Sequence, residues 1–237
     1  MSRGFSILEV LIVLTIISLL SALSFFYLSS HQRLFKPDEQ MLKIVDMLQE
    51  ARQRSLTQRE TMRVEIDLTQ NVVRLIDENQ TNTAEDDREI RRAALASASE
   101  VKMNERPPDI SVNPPETLSV PPAQFKTSIY PSSSGRNVCT LRFRRDGSVV
   151  NEGTDAIGSN ATAAGMTLFI WSPKKEESNV SEVARAVTVV GATGSVRVWE
   201  YEREARASNK WKDSRRAGVY GGGQTGGGGN GNLSNGN

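Results

Sequence analysis

From residue 5 to residue 28 the chain reads FSILEVLIVLTIISLLSALSFFYL, 24 residues in which every side chain but one is apolar, aromatic or a small hydroxyl. As a helix this run spans roughly 36 Å, more than the ~30 Å hydrocarbon core of a bilayer. No proline or glycine interrupts it, and Thr15, Ser18, Ser21 and Ser24 can return their hydroxyls to helix carbonyls. The exception is Glu9. A carboxylate at the centre of a membrane helix costs about 2.5–3.5 kcal/mol, less near an end, and calls for a named partner. Arg3 stands outside the run and is a weak partner. A cut after Gly4 supplies a better one, because it creates a cationic amine on Phe5, one helical turn from Glu9. That position is a helix N-terminus, where a carboxylate is favoured. The same carboxylate can instead reach the Phe5 amine of a neighbouring copy, and its burial cost then drives lateral association. Two plainer readings compete. One is a secretory signal peptide cut near Ala22-Leu23-Ser24; the other is an uncut single-pass anchor.

The rest of the composition removes chemistry rather than adding it. A chain of 237 residues with a formal net charge of +1 has no global pull toward polyanions. One cysteine, Cys139, rules out an intrachain disulfide. One histidine, His31, leaves a histidine metal site or a Ser-His-Asp triad almost nothing to draw on. No phosphate-binding loop is present, since the glycine-rich end lacks the Gly-Lys-Ser/Thr ending that such a loop needs. Cys139 reads as a buried apolar residue. The expectation is a protein that is not an enzyme, with no cofactor and no metal.

Beyond the apolar run, Pro37 followed by Asp38 and Glu39 has the form of a helix start, so the spacing predicts a kink or restart near Lys36. Met41, Ile44, Val45, Leu48, Ala51 and Ser55 then fall on one helical face, with Asp46, Gln49, Glu50 and Gln53 on the other. Met62, Val64 and Ile66 alternate with polar residues, and Val73 and Leu75 return after a turn, which predicts a β-hairpin with one buried face. Residues 79–122 hold a mixed charge run, AEDDREIRR, and three Pro-Pro pairs, and read as a loop-rich surface excursion with the charge run as a solvated face. Asp146-Gly147 then marks a further hairpin. Strands follow that place Leu141, Phe143, Leu168, Ile170, Val187, Val189, Val196 and Val198 in the core. The fold class expected is α+β, a long N-terminal membrane-spanning helix followed by an antiparallel β-sheet head. Its parts are a leader at 1–4, an apolar helix at 5–28, an amphipathic helix at 29–60, a β-rich head at 61–206 with the excursion at 79–122, and a basic then Gly-rich flexible tail at 207–237.

Gly4-Phe5-Ser6-Ile7-Leu8-Glu9 and the apolar run behind it resemble the class III signal of type IV prepilins and type II secretion pseudopilins. LRFRRDGSVV and AVTVVGATGSVRV further resemble a strand-turn and the last hairpin of the GspH/FimT group of minor pilins and pseudopilins. EARQRSLTQRETMRVEID is similar to that group's helix-to-strand junction. The resemblance implies cleavage after Gly4 by a prepilin peptidase, methylation of Phe5, and a docking role for Glu9. It implies an inner-membrane subunit with its head in the periplasm, working with other pilin or pseudopilin subunits and an assembly platform. The first expectation is a minor pseudopilin of type II secretion; the alternative is a minor pilin of a type IV pilus. Many pilins carry a glycine and a proline in this helix where Ser18 and Phe26 stand here.

One patch points elsewhere. After the last predicted strand come Arg203, Arg206, Lys210, Lys212, Arg215 and Arg216, with Trp211 among them. Cations neutralise phosphates and aromatic rings stack on exposed bases, so this composition suits DNA or lipid headgroups. Glu202, Glu204 and Asp213 dilute it.

Overall fold

The computed structural model describes residues 6–78, 87–115, 121–206 and 208–214, without the side chains of 25–33. One helix, α1 (Ile7–Gln58, 52 residues), carries the apolar run and the amphipathic segment without a break, with Pro37 inside it. Of the kink or restart expected near Lys36, the restart is therefore corrected. Pro37 forfeits one backbone bond and its ring crowds the carbonyl one turn back, but its fixed φ is itself a helical value, and ion pairs from Lys36 and Asp38 to the head hold the segment on both sides of it. At its C-terminal end Arg59 turns the chain with φ 59°.

Among the described residues eleven strands follow in two antiparallel sheets. The first sheet is ordered β3 (Arg88–Ala94), β2 (Val72–Glu78), β1 (Thr61–Asp67), β6 (Asn137–Phe143), β5 (Lys126–Thr127), with β7 (Val149–Val150) also on β6. The second is ordered β11 (Trp211–Asp213), β10 (Ser195–Tyr201), β9 (Ser181–Val190), β8 (Met166–Pro173), β4 (Lys102–Met103). The Asp146-Gly147 turn joins β6 to β7 as the dipeptide predicts, with Gly147 at φ +81°, a conformation that favours glycine.

Register explains the core. Val64 lies opposite Leu75 on one side and Leu141 on the other, and Ile66 opposite Val73 and Cys139. These residues face Ile44, Met47, Leu48 and Ala51 of α1, which also pack on Leu168, Ile170, Val187, Val189, Val196 and Val198 of the second sheet. Half of α1 is thus part of the head, so the head begins well before residue 61. All eight core residues expected from the strand pattern are buried in this one cluster.

The outer faces of both sheets are covered too, which the alternation does not foretell. The hairpin of β1 and β2 is buried on both faces, not one: Arg63, Glu65 and Asp67 are each 0% exposed. They survive burial because they pair. Arg63 meets Glu65 at 2.9 Å, Glu78 at 2.8 Å and Asp87 at 2.7 Å, and Arg74 meets Glu65 at 2.7 Å. Arg142 of β6 meets Glu78 at 2.6 Å and donates to the carbonyl of Ile157 at 3.0 Å. Gly158 lies so close over Arg142 that an added Cβ would sit 1.2 Å from its Nη1.

The outer face of the second sheet carries Phe169, Trp171, Ala184, Ala186, Trp199 and Trp211, and Ile110 lies on them. Trp171 donates to the carbonyl of Glu105 at 2.9 Å and Trp211 to that of Val112 at 2.7 Å. The proline-bearing stretch around Ile110 is therefore a strap over an aromatic face. Within the excursion at 79–122 the charge run supplies most of β3, an edge strand paired along β2 and exposed as a solvated face, and β4 closes the other sheet; the loop-rich reading is corrected at these strands and at the strap. The tail at 207–237 is corrected at Trp211–Asp213, which pairs with β10 as β11.

Candidate assembly interface and the basic patch

α1 begins after Ser6, whose backbone is extended at φ −71°, ψ 142° and whose carbonyl accepts from Val10 N at 3.2 Å. Glu9 stands in the first turn, where the unpaired N–H groups of the helix favour a negative charge. It has no partner among the described residues and lies in an exposed run that includes Leu8, Ile12 and Val13. Gly4 and Phe5 lie outside the described residues. The window Ile7–Ser24 has mean hydropathy 2.5 and none of it is buried, so it is long and apolar enough to cross a membrane. Thr15 and Ser18 return their hydroxyls to the carbonyls of Leu11 and Leu14, each at 2.8 Å, so neither presents an open donor to its surroundings. Chemically this half-helix offers one thing, an aliphatic surface for lipid or for other helices with a single carboxylate near its tip.

Part of the C-terminal basic patch is engaged within the protein. Arg203 pairs with Asp109 and donates to the Ser181 carbonyl at 2.5 Å and its Oγ at 2.9 Å. Burial raises the pKa of Asp109, but Arg203 and the backbone N–H of Ser181 outweigh it and hold the carboxyl below its ordinary range. Lys212 pairs with Glu202, and Lys210 donates to the carbonyl of Arg203 at 2.5 Å. Trp211 is 4% exposed, with its ring centre 5.2 Å from Tyr201 and 6.0 Å from Phe169, so its face is not offered to a base. Arg206 is exposed. Arg215 and Arg216 lie outside the described residues. Asp109 is the member that sequence reasoning missed, and no local signal marks it, since its partner lies 94 residues away.

Cys139 is buried against Met166, and burial pushes its thiol up to about 12, far from a nucleophile's range. Among the described residues no three His, Cys, Asp or Glu side chains gather as metal ligands.

Residues 1–25 match the prokaryotic N-terminal methylation motif. The match indicates a type IV pilin-like protein, of pilus or pseudopilus, and implies processing by a prepilin peptidase and assembly with other pilins. No curated protein and no solved structure matches the chain.

Proposed function

We propose that this type IV pilin-like chain is a minor pseudopilin of a type II secretion system, built into a periplasmic pseudopilus that helps export folded proteins. A prepilin peptidase removes the leader after Gly4 and Phe5 becomes the methylated N-terminus. The apolar half of α1 holds the subunit in the inner membrane and later lies in the filament core, with the head in the periplasm. Glu9 docks the subunit by pairing with a Phe5 amine, its own or a neighbour's, on the assembly platform. The action is mechanical, not catalytic. The observation that carries this reading is one unbroken helix with two environments, a bare 18-residue apolar window behind Glu9 and a half sunk into a two-sheet head.

The second reading is a minor pilin of a type IV pilus that assists assembly or takes up DNA. The exposed Arg206 favours it, together with Arg215 and Arg216 in the sequence. The engagement of Arg203, Lys210 and Lys212 inside the protein, and the burial of Trp211, support the first reading over DNA uptake. Deleting the protein in its host separates the two. Loss of exported folded proteins with pili intact fits the pseudopilin; loss of pili or of DNA uptake with export intact fits the minor pilin.

A further inference from the structure

We propose that the point where α1 enters the head is an ionically clamped joint centred on Pro37. Pro37 is buried and has no N–H, so the carbonyl of Arg33, one turn earlier, lacks its helical donor. At 3.6 residues per turn, neighbouring residues project about 100° apart, so Lys36 and Asp38 leave the two flanks of Pro37. Both are gripped. Lys36 pairs with Glu100, just ahead of β4. Asp38 receives Arg185 of β9 in bidentate fashion, Nε at 2.5 Å and Nη2 at 3.2 Å. One turn further, Gln40 accepts from the Ala96 backbone N–H at 2.9 Å, and Lys43 donates to the Ala94 carbonyl at 3.0 Å.

The helix changes environment at the same place. After Pro37, Gln40, Met41, Ile44, Met47 and Leu48 are 0–6% exposed. Before it, Phe35 is 68% exposed and no part of Ile7–Ser24 is buried. The embedded stretch thus runs on from the one proline inside the helix, while the described apolar run up to Ser24 is bare. Apolar packing holds the embedded part without fixing direction, whereas a bidentate arginine–carboxylate pair is directional. The clamp residues are also partly exposed, their side chains between 16% and 43%, so salt weakens them while leaving the core untouched. With the clamp closed the apolar half and the head move as one body. With it open the apolar half swings about Pro37 and the head keeps its fold. That gives a single chain two angles between helix and head, one for a bilayer and one for close packing beside other helices. The last use rests on the assembly reading; the joint itself does not.

The test uses the full chain in lipid nanodiscs, with nitroxide labels on Ser21→Cys and Ser178→Cys in a Cys139→Ala background, read by pulsed electron resonance and by hydrogen exchange. Asp38→Asn with Glu100→Gln broadens the label distance distribution about twofold and speeds amide exchange over residues 34–41 roughly 10-fold, while residues 44–55 keep their protection. Raising the salt broadens the distribution of the unsubstituted joint in the same direction. Lys36→Glu combined with Glu100→Lys restores the narrow distribution that Glu100→Lys alone broadens. An unchanged width in the double variant and in high salt overturns the joint. Equal loss of protection at 44–55 overturns it too, since the pairs would then hold the head rather than its angle to the helix.

Discussion

Arg63 lies over the ring of Tyr130, its guanidinium carbon 3.7 Å from the ring centre, with neither residue exposed to solvent. Burial works against the Arg63 charge, but Glu65, Glu78 and Asp87 outweigh it and raise its pKa above the ordinary value. Glu78 is the hub, because it also accepts from Arg142 on β6, across the intervening β1. Removing one partner of a buried pair strands the others. Glu78→Gln is expected to cost about 3–5 kcal/mol in urea unfolding. Lys212→Ala, at an exposed pair, is expected to leave the midpoint unchanged. A loss at Glu78 no larger than at Lys212 would show that the cluster is not an energetic unit.

The strap should loosen in acid through Asp109. Its folded pKa is depressed, so its contribution is complete above the unfolded value of about 3.9 and is lost as pH falls through the lower folded value. The three tryptophans of the chain, Trp171, Trp199 and Trp211, all lie under or beside this strap. Their emission reports it. Asp109→Asn is expected to be the less stable protein at neutral pH, and the gap between the two to close in that acidic window. A gap that stays constant across it would remove Asp109 from the account.

The C-terminal boundary of the head is also testable. Truncation after Ser214 is expected to leave the tryptophan emission and unfolding midpoint unchanged, whereas Trp211→Ala costs about 3–5 kcal/mol because it empties an aromatic site. If DNA binds at all, a shift assay with titrated salt should lose it on removal of 215–237. DNA binding that survives that truncation would place the contact on the folded head.

These sites differ in how far the sequence exposes them. Met62, Val64 and Ile66 announce a strand because alternation is local, and the same alternation suggests that Arg63, Glu65 and Asp67 face water. They do not, since beyond the local Arg63–Glu65 pair their partners come from β2, from Asp87 and from Arg136, at separations that no local pattern records. Pro37 with two acids after it looks like a helix start; the helix runs on through it, its flanks paired with Glu100 and Arg185 far along the chain. Trp211 sits among cations and reads as an exposed ring, yet its indole N–H is spent on Val112. The N-terminal run is the opposite case. Glu9 and its surroundings are legible at once because a membrane-length run is a one-dimensional signal, and residues 1–25 match the methylation motif.

Glu9→Ala is expected to leave membrane insertion intact, since it removes a cost of insertion and no apolar surface. Incorporation into filaments should fall sharply, read by shearing and immunoblot beside a wild-type control. Normal incorporation would remove the docking role from this carboxylate.

The most direct measurement is mass spectrometry of the mature N-terminus, on full-length protein produced with a prepilin peptidase. The account predicts a chain that begins at Phe5 and carries one N-methyl group. A chain that begins at Met1, or one cut near residue 25, would contradict it.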